Sequence, residues 1–360
     1  MSSQEIIVEE GILKGTILHS LWLRERLSGD KFVDPNNLQR LYEPSLLDEN
    51  LLIDSYAIED NFLSITFSDG AKGKISVDEL YQEINSIDAI PKKKIWKKND
   101  SLQIFDNNKI FENSESLIQM LETFYKYGYV IIENTQAVEN EVLNFAEKIG
   151  PVRTTNWGKL FNVVSKPNPN DLAYTALELK SHSDNPYRKP VPGIQLLHCI
   201  ANESTGGDSS LVDGFSVAEY LRNNNKEFYQ ILTKTNVNFK FTDTDVILEN
   251  KSKLIELDDD GKFKQISFSG RLDYVPLLNQ EKLKTFYRAR KCMYELCNSD
   301  QFKIKFRLSK GMIAMFDNLR TLHGRTKFDP NTGFRHLQGC YIDHDSAESK
   351  MKYLKKKFNI

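Results

Sequence analysis

The sequence predicts an α+β protein in which a β-sandwich core is flanked by helices and preceded by a small strand-rich domain. Apolar residues recur at helical spacing over 114–127, Gly128 is placed to end that helix, and an apolar strand follows at 129–132. A second helix is predicted at about 138–149, and a long strand-rich region follows it. No glycine-rich phosphate loop follows any predicted strand, which argues against a doubly wound sheet.

Residues 1–95 are predicted to form the small N-terminal domain. Short apolar runs at 64–67 and 73–77 flank a turn at 68–71, which is the pattern of a β-hairpin, and a short helix is expected at 78–84. None of these segments carries obvious chemistry. We therefore look for the functional residues in the remainder of the chain.

A basic stretch at 91–98 separates this domain from the rest of the chain. It is interpreted as a solvated linker, because one short basic run with a single aromatic residue is thin support for a nucleic-acid site. We expect a linker at 96–111 and a larger second domain at 112–360, which a chain of 360 residues can accommodate.

The composition is that of an ordinary globular protein, with 40% hydrophobic and 27% charged residues. A formal net charge of -2 gives no field that would attract nucleic acid or an anionic membrane. Apolar runs fall short of the ~20 residues that a membrane helix needs, and the polar, acidic N-terminus is unlike a signal peptide. We expect a cytoplasmic protein with neither nucleic-acid nor membrane partners. Its cysteines are predicted to be buried thiols rather than disulfides or zinc ligands, and they are Cys199, Cys292, Cys297 and Cys340.

His182 and Asp184 are the first candidates for a metal site. They lie two residues apart, so in an extended backbone both side chains point to the same face. With a second histidine they would complete the two-histidine, one-carboxylate set that non-haem Fe(II) enzymes use. By contrast, His198 lies inside the apolar stretch 193–200, where a satisfied core histidine is the better interpretation. A turn at 206–208 then predicts that 209–213 returns as a hairpin partner of that strand.

Two C-terminal stretches can complete the site. An apolar strand is predicted just before His323, and a further strand begins near Arg335. On that second strand, Arg335 shares one face with Leu337, Gly339 and Tyr341. An arginine can hold a carboxylate through two parallel hydrogen bonds, as the distal carboxylate of 2-oxoglutarate would require. We expect Gly339, which has no side chain, to leave the path of that ligand open.

The predicted helix at 280–297 carries Arg290 on its apolar stripe. A cation on a buried face requires an anion. Two interpretations stay open, an internal pair with a nearby carboxylate, which we prefer, and contact with an acidic group of a substrate.

Several blocks of this sequence, taken in order, carry a family resemblance. They are His182-Ser183-Asp184, Gly193-Ile194-Gln195-Leu196-Leu197-His198-Cys199, Gly206-Gly207-Asp208-Ser209, Val212-Asp213-Gly214-Phe215, Asp317-Asn318-x-Arg320-x-Leu322-His323-Gly324-Arg325 and Arg335-x-Leu337-x-Gly339-x-Tyr341. Together they resemble the γ-butyrobetaine and trimethyllysine hydroxylase family, within the taurine-dioxygenase-like Fe(II)/2-oxoglutarate oxygenases. The resemblance extends from about Glu112 onward, and the start of the chain looks like the small N-terminal domain of that family.

The resemblance implies a double-stranded β-helix (jelly-roll) catalytic core, with Fe(II) as cofactor, 2-oxoglutarate and O2 as cosubstrates, and a homodimer. It assigns His182, Asp184 and His323 to iron, Arg335 to the tail of 2-oxoglutarate, and Ser209 to orientation of that cosubstrate. For the substrate it implies an aromatic cage around a trimethylammonium group, with a carboxylate as counter-charge. The matching residues are Trp157, Phe161, Tyr174 and Tyr341 for the rings and Asp171 for the carboxylate. Ordinary packing of these rings is the alternative.

The sequence departs from the family pattern in two places. Several members hold zinc with cysteines of the N-terminal domain, whereas this chain has no cysteine before Cys199, so we predict no zinc there. Asn185 stands where the butyrobetaine enzymes have an aromatic residue. Other segments look closer to the trimethyllysine branch, in which Arg288 or Arg290 would meet an acidic group at the far end of the substrate.

The resulting expectation is an enzyme that hydroxylates a C–H bond of a small trimethylammonium-bearing substrate, with succinate and CO2 as co-products. The same chemistry on an amino acid or a natural-product intermediate is the main alternative. A non-catalytic metal-binding scaffold is a remote alternative, because a scaffold would not need Arg335 to bind a carboxylate. Asp184 argues against a halogenase, because in such an enzyme a halide binds the metal at the position that the Asp184 carboxylate would fill here.

Overall fold

The structure is a computed structural model that describes residues 2–85, 90–98, 101–164 and 175–358. The chain divides into two compact units, residues 1–89 and residues 90–360. No helix in the described ranges combines the length and the hydropathy needed to cross a bilayer.

The first unit is small and rich in strands. Its elements are β1 (Glu5–Ile7), β2 (Ile17–His19), α1 (Ser20–Arg24), β3 (Ile53–Glu59), β4 (Phe62–Phe67), β5 (Lys72–Ser76) and α2 (Val77–Ile84). Strands β3, β4 and β5 form an antiparallel sheet, and the predicted hairpin is confirmed as the β4–β5 pair. Helix α2 begins after Ser76, whose hydroxyl accepts a hydrogen bond from the backbone N–H of Glu79.

The second unit contains the rest of the secondary structure. Its strands are β6 (Ile104–Asp106), β7 (Tyr129–Glu133), β8 (Phe161–Val164), β9 (Leu179–His182), β10 (Ile194–Asn202), β11 (Thr205–Gly206), β12 (Ser209–Asp213), β13 (Asn236–Thr242), β14 (Ile247–Lys253), β15 (Ile255–Leu257), β16 (Phe263–Ile266), β17 (Asp273–Tyr274), β18 (Lys303–Phe306), β19 (Ile313–Asp317), β20 (Thr321–Arg325), β21 (Phe328–Asp329) and β22 (Arg335–Ile342). Its helices are α3 (Asn107–Ile110), α4 (Ser114–Tyr127), α5 (Glu141–Ile149), α6 (Gly214–Asn224), α7 (Lys226–Lys234), α8 (Gln280–Asn298) and α9 (His344–Phe358).

Two sheets form the body of the second unit. The larger has the strand order β6-β7-β19-β10-β22-β8, and the smaller has the order β18-β12-β20-β9. Apolar residues of both sheets pack into one cluster, in which Leu211 and Ile304 of the smaller sheet join Ala314 and Leu337 of the larger. This arrangement of two sheets and flanking helices agrees with the predicted sandwich.

Helices cover the outer faces of both sheets. Helices α4, α5 and α9 pack on the larger sheet, and α6, α7 and α8 pack on the smaller. The helix predicted over 114–127 is confirmed as α4, and Gly128 ends it with a left-handed φ of 78°. A Cβ at this glycine would lie 2.9 Å from the Cδ atom of Arg320, so the residue is required by space as well as by conformation.

The predicted hairpin between 193–200 and 209–213 is wrong. Strand β10 pairs with β19 and β22 in the larger sheet, whereas β12 pairs with β18 and β20 in the smaller one. Gly206 and Gly207, both with positive φ, lie where the chain passes from one sheet to the other. Alternation of side chains identifies a strand, but it does not identify the strand's partner.

The described residues of the predicted linker, 96–98 and 101–111, do not form a separate linker, because they belong to the second unit. The Trp96 ring is 1% exposed and its Nε1 donates to the backbone carbonyl of Tyr127 at 2.6 Å. Strand β6 extends the larger sheet parallel to β7. The lysines around Trp96 are exposed, which is why the basic run resembles a solvated segment in sequence alone.

A buried ion pair joins the two sheets. Arg320, in the turn from β19 to β20, donates from Nε to Asp213 Oδ1 at 3.0 Å and from Nη2 to Asp213 Oδ2 at 2.8 Å. Both side chains are 0% exposed. The remaining donors of Arg320 reach the carbonyls of Lys126 at 3.0 Å and Lys94 at 2.6 Å. A buried pair with its hydrogen bonds satisfied in this way is strongly destabilising to break.

We expect Arg320→Met to lower the free energy of unfolding by about 3–5 kcal/mol, because it leaves the Asp213 carboxylate buried without a cation. Urea unfolding followed by circular dichroism measures the change. The matched control is Lys262→Met, which breaks an exposed pair with Asp260 and should leave the unfolding midpoint unchanged. Equal midpoints for the two variants would contradict the importance given to the buried pair.

Candidate active site

His182 and His323 are direct cross-strand partners in the smaller sheet. Strands β9 and β20 are antiparallel neighbours, and their register places the two histidines opposite each other. The imidazole centroids are 4.4 Å apart. Asp184 follows β9 by two residues, and its carboxylate lies beside both rings, with Oδ1 at 3.4 Å from His182 Nε2 and 3.8 Å from His323 Nε2. The predicted convergence of the three side chains is present in the structure.

The ligand atoms of these three residues suit one metal ion. They all lie within 4.8 Å of one another, and no other group of three or more His, Cys, Asp or Glu residues among the described ranges meets this condition. His182 Nδ1 lies 2.8 Å from the carbonyl of Lys180, so the proton sits on Nδ1 and Nε2 is free to bind a metal.

The protonation states also fit a metal site. Burial, helped by neighbouring His182, lowers the pKa of His323 to about 3, so the imidazole is neutral. Burial alone would raise the pKa of Asp184, but the facing imidazoles and the Gln195 amide hold it below its usual value. Two imidazoles and one carboxylate form the donor set that suits Fe(II) with open positions. The residues present therefore fit the expected iron.

The second carboxylate oxygen of Asp184 is engaged elsewhere. Oδ2 accepts hydrogen bonds from Gln195 Nε2 at 2.8 Å and from the Tyr341 hydroxyl at 3.1 Å. The backbone is held as well, since Asp184 N–H donates to Asn318 Oδ1 at 2.8 Å and Asn318 Nδ2 donates to Asp184 O at 2.9 Å. Neither Gln195 nor Asn318 was assigned a role from the sequence. Both residues lie in blocks that carry the family resemblance, Asn318 in 317–325 and Gln195 in 193–199, but no role was attached to either.

Arg335 lies in the same cavity as the three candidate ligands. It is 6% exposed, and burial lowers the pKa of its guanidinium to about 10. Among the described residues it has no ion pair, its Nε is without a hydrogen-bond partner, and its guanidinium carbon lies 5.4 Å from the ring centre of Phe328. A buried cation without an anion is costly, so this site is suited to an anionic ligand. Ser209, the first residue of β12, lines the same cavity.

Aromatic residues form another part of the cavity wall. Trp157, Phe161 and Tyr341, three of the residues assigned to the cage, line it, and Asn185 lies beside them. Phe161 and Tyr341 have ring centroids 5.2 Å apart. The predicted residues Tyr174 and Asp171 lie outside the described residues.

Two further rings in the cavity wall were missed by sequence reasoning. Phe241 meets Trp157 edge-on at 5.4 Å, and it stacks on Tyr187 at 5.0 Å. Phe241 lies on β13, far from the other site residues in the chain, and no motif marks it. The Tyr187 hydroxyl donates to Asn185 Oδ1 at 2.5 Å, which fixes the orientation of that amide.

The sequence suggested that Gly339 keeps a path open for a ligand. The structure shows that it does not. A Cβ at this position would lie 2.4 Å from the Cζ atom of Phe161. The space is therefore filled by the Phe161 ring, which packs across from β8 onto β22. The glycine is still needed, but its role is to admit a residue of the cavity wall.

Arg288 and Arg290 do not line the cavity that holds the candidate ligands. Arg290 donates from Nη1 to Asp273 Oδ1 at 2.8 Å, and the Asp273 side chain is 0% exposed. This confirms the preferred interpretation of an internal pair. Arg288 is exposed and contacts Thr285 Oγ1 at 3.3 Å. Both arginines lie on α8 and line a groove beside β9 that shares Leu179, His182 and Arg271 with the cavity, so contact with the far end of a substrate stays a prediction.

Comparisons with known proteins agree with this chemistry. Residues 95–341 match the model of the taurine catabolism dioxygenase TauD, TfdA family. The γ-butyrobetaine dioxygenase of Homo sapiens is 31% identical over 353 residues, which cover 94% of this chain and 91% of that protein. The trimethyllysine dioxygenase of Meyerozyma guilliermondii is 30% identical over 248 residues, which cover 68% of this chain and 61% of that protein.

A solved structure shares the fold. The putative α-ketoglutarate-dependent taurine dioxygenase of Burkholderia xenovorans superposes with a TM-score of 0.52 at 13% identity, over 68% of this chain and 91% of that one. The chain is a dioxygenase that uses Fe(II), 2-oxoglutarate and O2, and the resemblance drawn from its motifs is confirmed. It belongs to the TauD/TfdA dioxygenase family.

Proposed function

We propose that this dioxygenase hydroxylates a C–H bond of a small substrate that carries a trimethylammonium group. The observation that carries the proposal is the presence of Trp157, Phe161 and Tyr341 in the same cavity as His182 and the other candidate ligands. Similar proteins named for γ-butyrobetaine and trimethyllysine support it.

Ring faces are a suitable receptor for this head group. A quaternary ammonium cannot donate a hydrogen bond, so its recognition depends on electrostatic attraction to aromatic faces. Each well-placed face is worth about 0.5–2 kcal/mol. Because these rings also contact one another, packing alone is the alternative explanation that the experiments below address.

In this proposal His182 Nε2, Asp184 Oδ1 and His323 Nε2 hold the iron. An Fe(II) ion held there would supply O2 activation, the chemistry by which one oxygen atom is spent on converting 2-oxoglutarate to succinate and CO2 and the other hydroxylates the substrate. The protein's own part is to present three ligand atoms on one side, to orient the reactants and to keep bulk water away.

Arg335 is proposed to bind the distal carboxylate of 2-oxoglutarate, with Ser209 helping to orient it. A guanidinium and a carboxylate form two parallel charge-assisted hydrogen bonds, and burial strengthens them. The support is that Arg335 is buried in this cavity and has no acidic partner among the described residues.

We further propose that the two facing sheets form a double-stranded β-helix (jelly roll) and that residues 1–89 correspond to the small N-terminal domain of the butyrobetaine-hydroxylase type, without zinc. The shared cluster between the sheets and the match to a relative over 94% of the chain support this. Action in the cytoplasm as a homodimer completes the proposal. A net charge of -2 agrees with a small-molecule substrate rather than a polyanionic partner.

The experiment that tests the proposed substrate class is a screen of succinate release with Fe(II), 2-oxoglutarate and a panel of betaines, trimethylammonium amino acids, phosphonates and ordinary amino acids. We expect trimethylammonium compounds to stimulate succinate formation most. Stronger stimulation by amino acids without a quaternary ammonium would favour the alternative substrate class.

Asp184→Ala should abolish succinate formation, because the iron loses its only anionic protein ligand. The loss should exceed the ~10–100-fold typical of removing a residue behind a metal ligand. Succinate is measured with saturating Fe(II) and 2-oxoglutarate, and Asp260→Ala on the exposed turn is the control. Unchanged succinate formation in the Asp184 variant would remove this iron site from consideration.

Arg335→Met should raise the dissociation constant of 2-oxoglutarate by about 10–100-fold, since hydrogen bonds to charged groups contribute roughly 1.5–3 kcal/mol. Anaerobic calorimetry with Fe(II)-loaded protein measures it. Arg222→Met is a control, because that arginine is on the surface and pairs with Glu219. The same affinity in both variants would mean that the cosubstrate is held elsewhere.

Trp157→Ala and Phe161→Ala should each raise KM for the trimethylammonium substrate by about 2–30-fold, the range that corresponds to one aromatic face. The comparison compound is the neutral isostere in which carbon replaces the quaternary nitrogen, and its KM should change much less. Phe334→Ala, at an exposed ring, is the control. If both compounds lose affinity equally, the rings contribute shape but do not recognise charge.

A further inference from the structure

The two oxygens of Asp184 lie in different surroundings. Oδ1 faces the imidazole pair at 3.4 and 3.8 Å. Oδ2 points away from the pair and accepts two hydrogen bonds, from Gln195 Nε2 at 2.8 Å and the Tyr341 hydroxyl at 3.1 Å. The carboxylate therefore has one oxygen free for a metal and one oxygen already occupied by protein donors.

The two donors form a rigid pair. Gln195 on β10 and Tyr341 on β22 are cross-strand partners, so their side chains emerge together from the larger sheet. They are 1% and 3% exposed, respectively. Asp184, by contrast, follows a strand of the smaller sheet. One sheet thus carries the ligand and the other fixes its orientation.

The backbone of Asp184 is held independently of these donors. Asn318 accepts from Asp184 N–H and donates to Asp184 O through its side-chain amide. Loss of Gln195 or Tyr341 donors would consequently leave the main chain in place and free only the rotation of the carboxylate.

We propose that Gln195 and Tyr341 are positioning residues that restrict Asp184 to one iron-binding oxygen. The proposal rests on the iron ligands given under the proposed function. An iron ion that took one atom from each of the three residues and two from 2-oxoglutarate would keep a position for O2. A carboxylate that turned and bound through both oxygens would occupy that position. Hydrogen-bonded partners behind metal ligands commonly affect affinity or activity by ~10–100-fold.

Conservative variants separate this role of Tyr341 from its place in the proposed aromatic cage. Tyr341→Phe keeps the ring face and removes only the hydroxyl, and Gln195→Leu removes the amide at similar size. Gln338→Leu is the matched control, because Gln338 is a buried glutamine, as Gln195 is, and lies on β22, as Tyr341 does. Its amide contacts Asn162 and Asn140 rather than Asp184.

The test uses nitric oxide as a probe for the O2 position, in the full-length protein loaded with Fe(II) and 2-oxoglutarate without oxygen. The EPR signal of the iron–nitrosyl complex is titrated for the native protein, both single variants, the double variant and Gln338→Leu. We expect nitric oxide affinity to fall at least about tenfold in the double variant. The single variants should be intermediate, and Gln338→Leu should equal the native protein.

Calorimetric measurement of 2-oxoglutarate binding distinguishes failure of the positioning role from failure of the iron site. Unchanged nitric oxide affinity in the single and double variants, with iron and 2-oxoglutarate bound, overturns the positioning role alone. If the native protein gives no iron-dependent signal at all, the proposed iron site fails and this role falls with it. If the double variant retains no iron, the two single variants, which each keep one hydrogen bond to Asp184, decide the question.

Discussion

The ion pair between Arg320 and Asp213 is the constraint on which the second unit depends. Both side chains are fully buried. The pair lies where the chain passes from β19 in the larger sheet to β20 in the smaller. Asp213 ends β12, which is the neighbour of β20. The guanidinium also binds two carbonyls, those of Lys94 and Lys126, and Gly128 leaves the space that its chain needs. One side chain thereby fixes the relation between two sheets and a helix end.

The position of the candidate iron site follows from this relation. Strand β20 begins directly after Arg320. His323 lies three residues beyond that arginine, opposite His182 on β9. Because the pairing register determines which side chains share a face, the two imidazoles meet without any loop having to hold them. The third candidate ligand, Asp184, lies beyond the end of β9, where the other sheet can reach it. The geometry of the candidate site is thus a product of strand register in one sheet and of donors from the second.

Local patterns predicted the parts of this structure that depend on local chemistry. The helix before Gly128, the β4–β5 hairpin and the buried surroundings of His198 all follow from periodicity and turn residues. Predictions failed where partners are distant in the chain. Strand β12 pairs with β20 and not with β10. Trp96 is buried although its neighbours in the sequence are mostly lysines, and Phe161 occupies the space above Gly339. No short-range pattern encodes such contacts. The two-residue spacing of His182 and Asp184 marked them as a candidate pair, and the family motifs assigned His323 to iron together with them.

The polar atoms left without partners show why the cavity is built to receive charged ligands. Among the described residues, buried Ser269 Oγ, His323 Nδ1 and Arg335 Nε have no hydrogen-bond partner, and all three residues line this cavity. Each such group costs roughly 1–3 kcal/mol when it is buried and unsatisfied. An anion bound at Arg335 would give this buried cation a partner and offset part of that cost. Cosubstrate binding should for this reason stabilise the fold as well as prepare the reaction, since a ligand that binds only the native state shifts the folding equilibrium toward it.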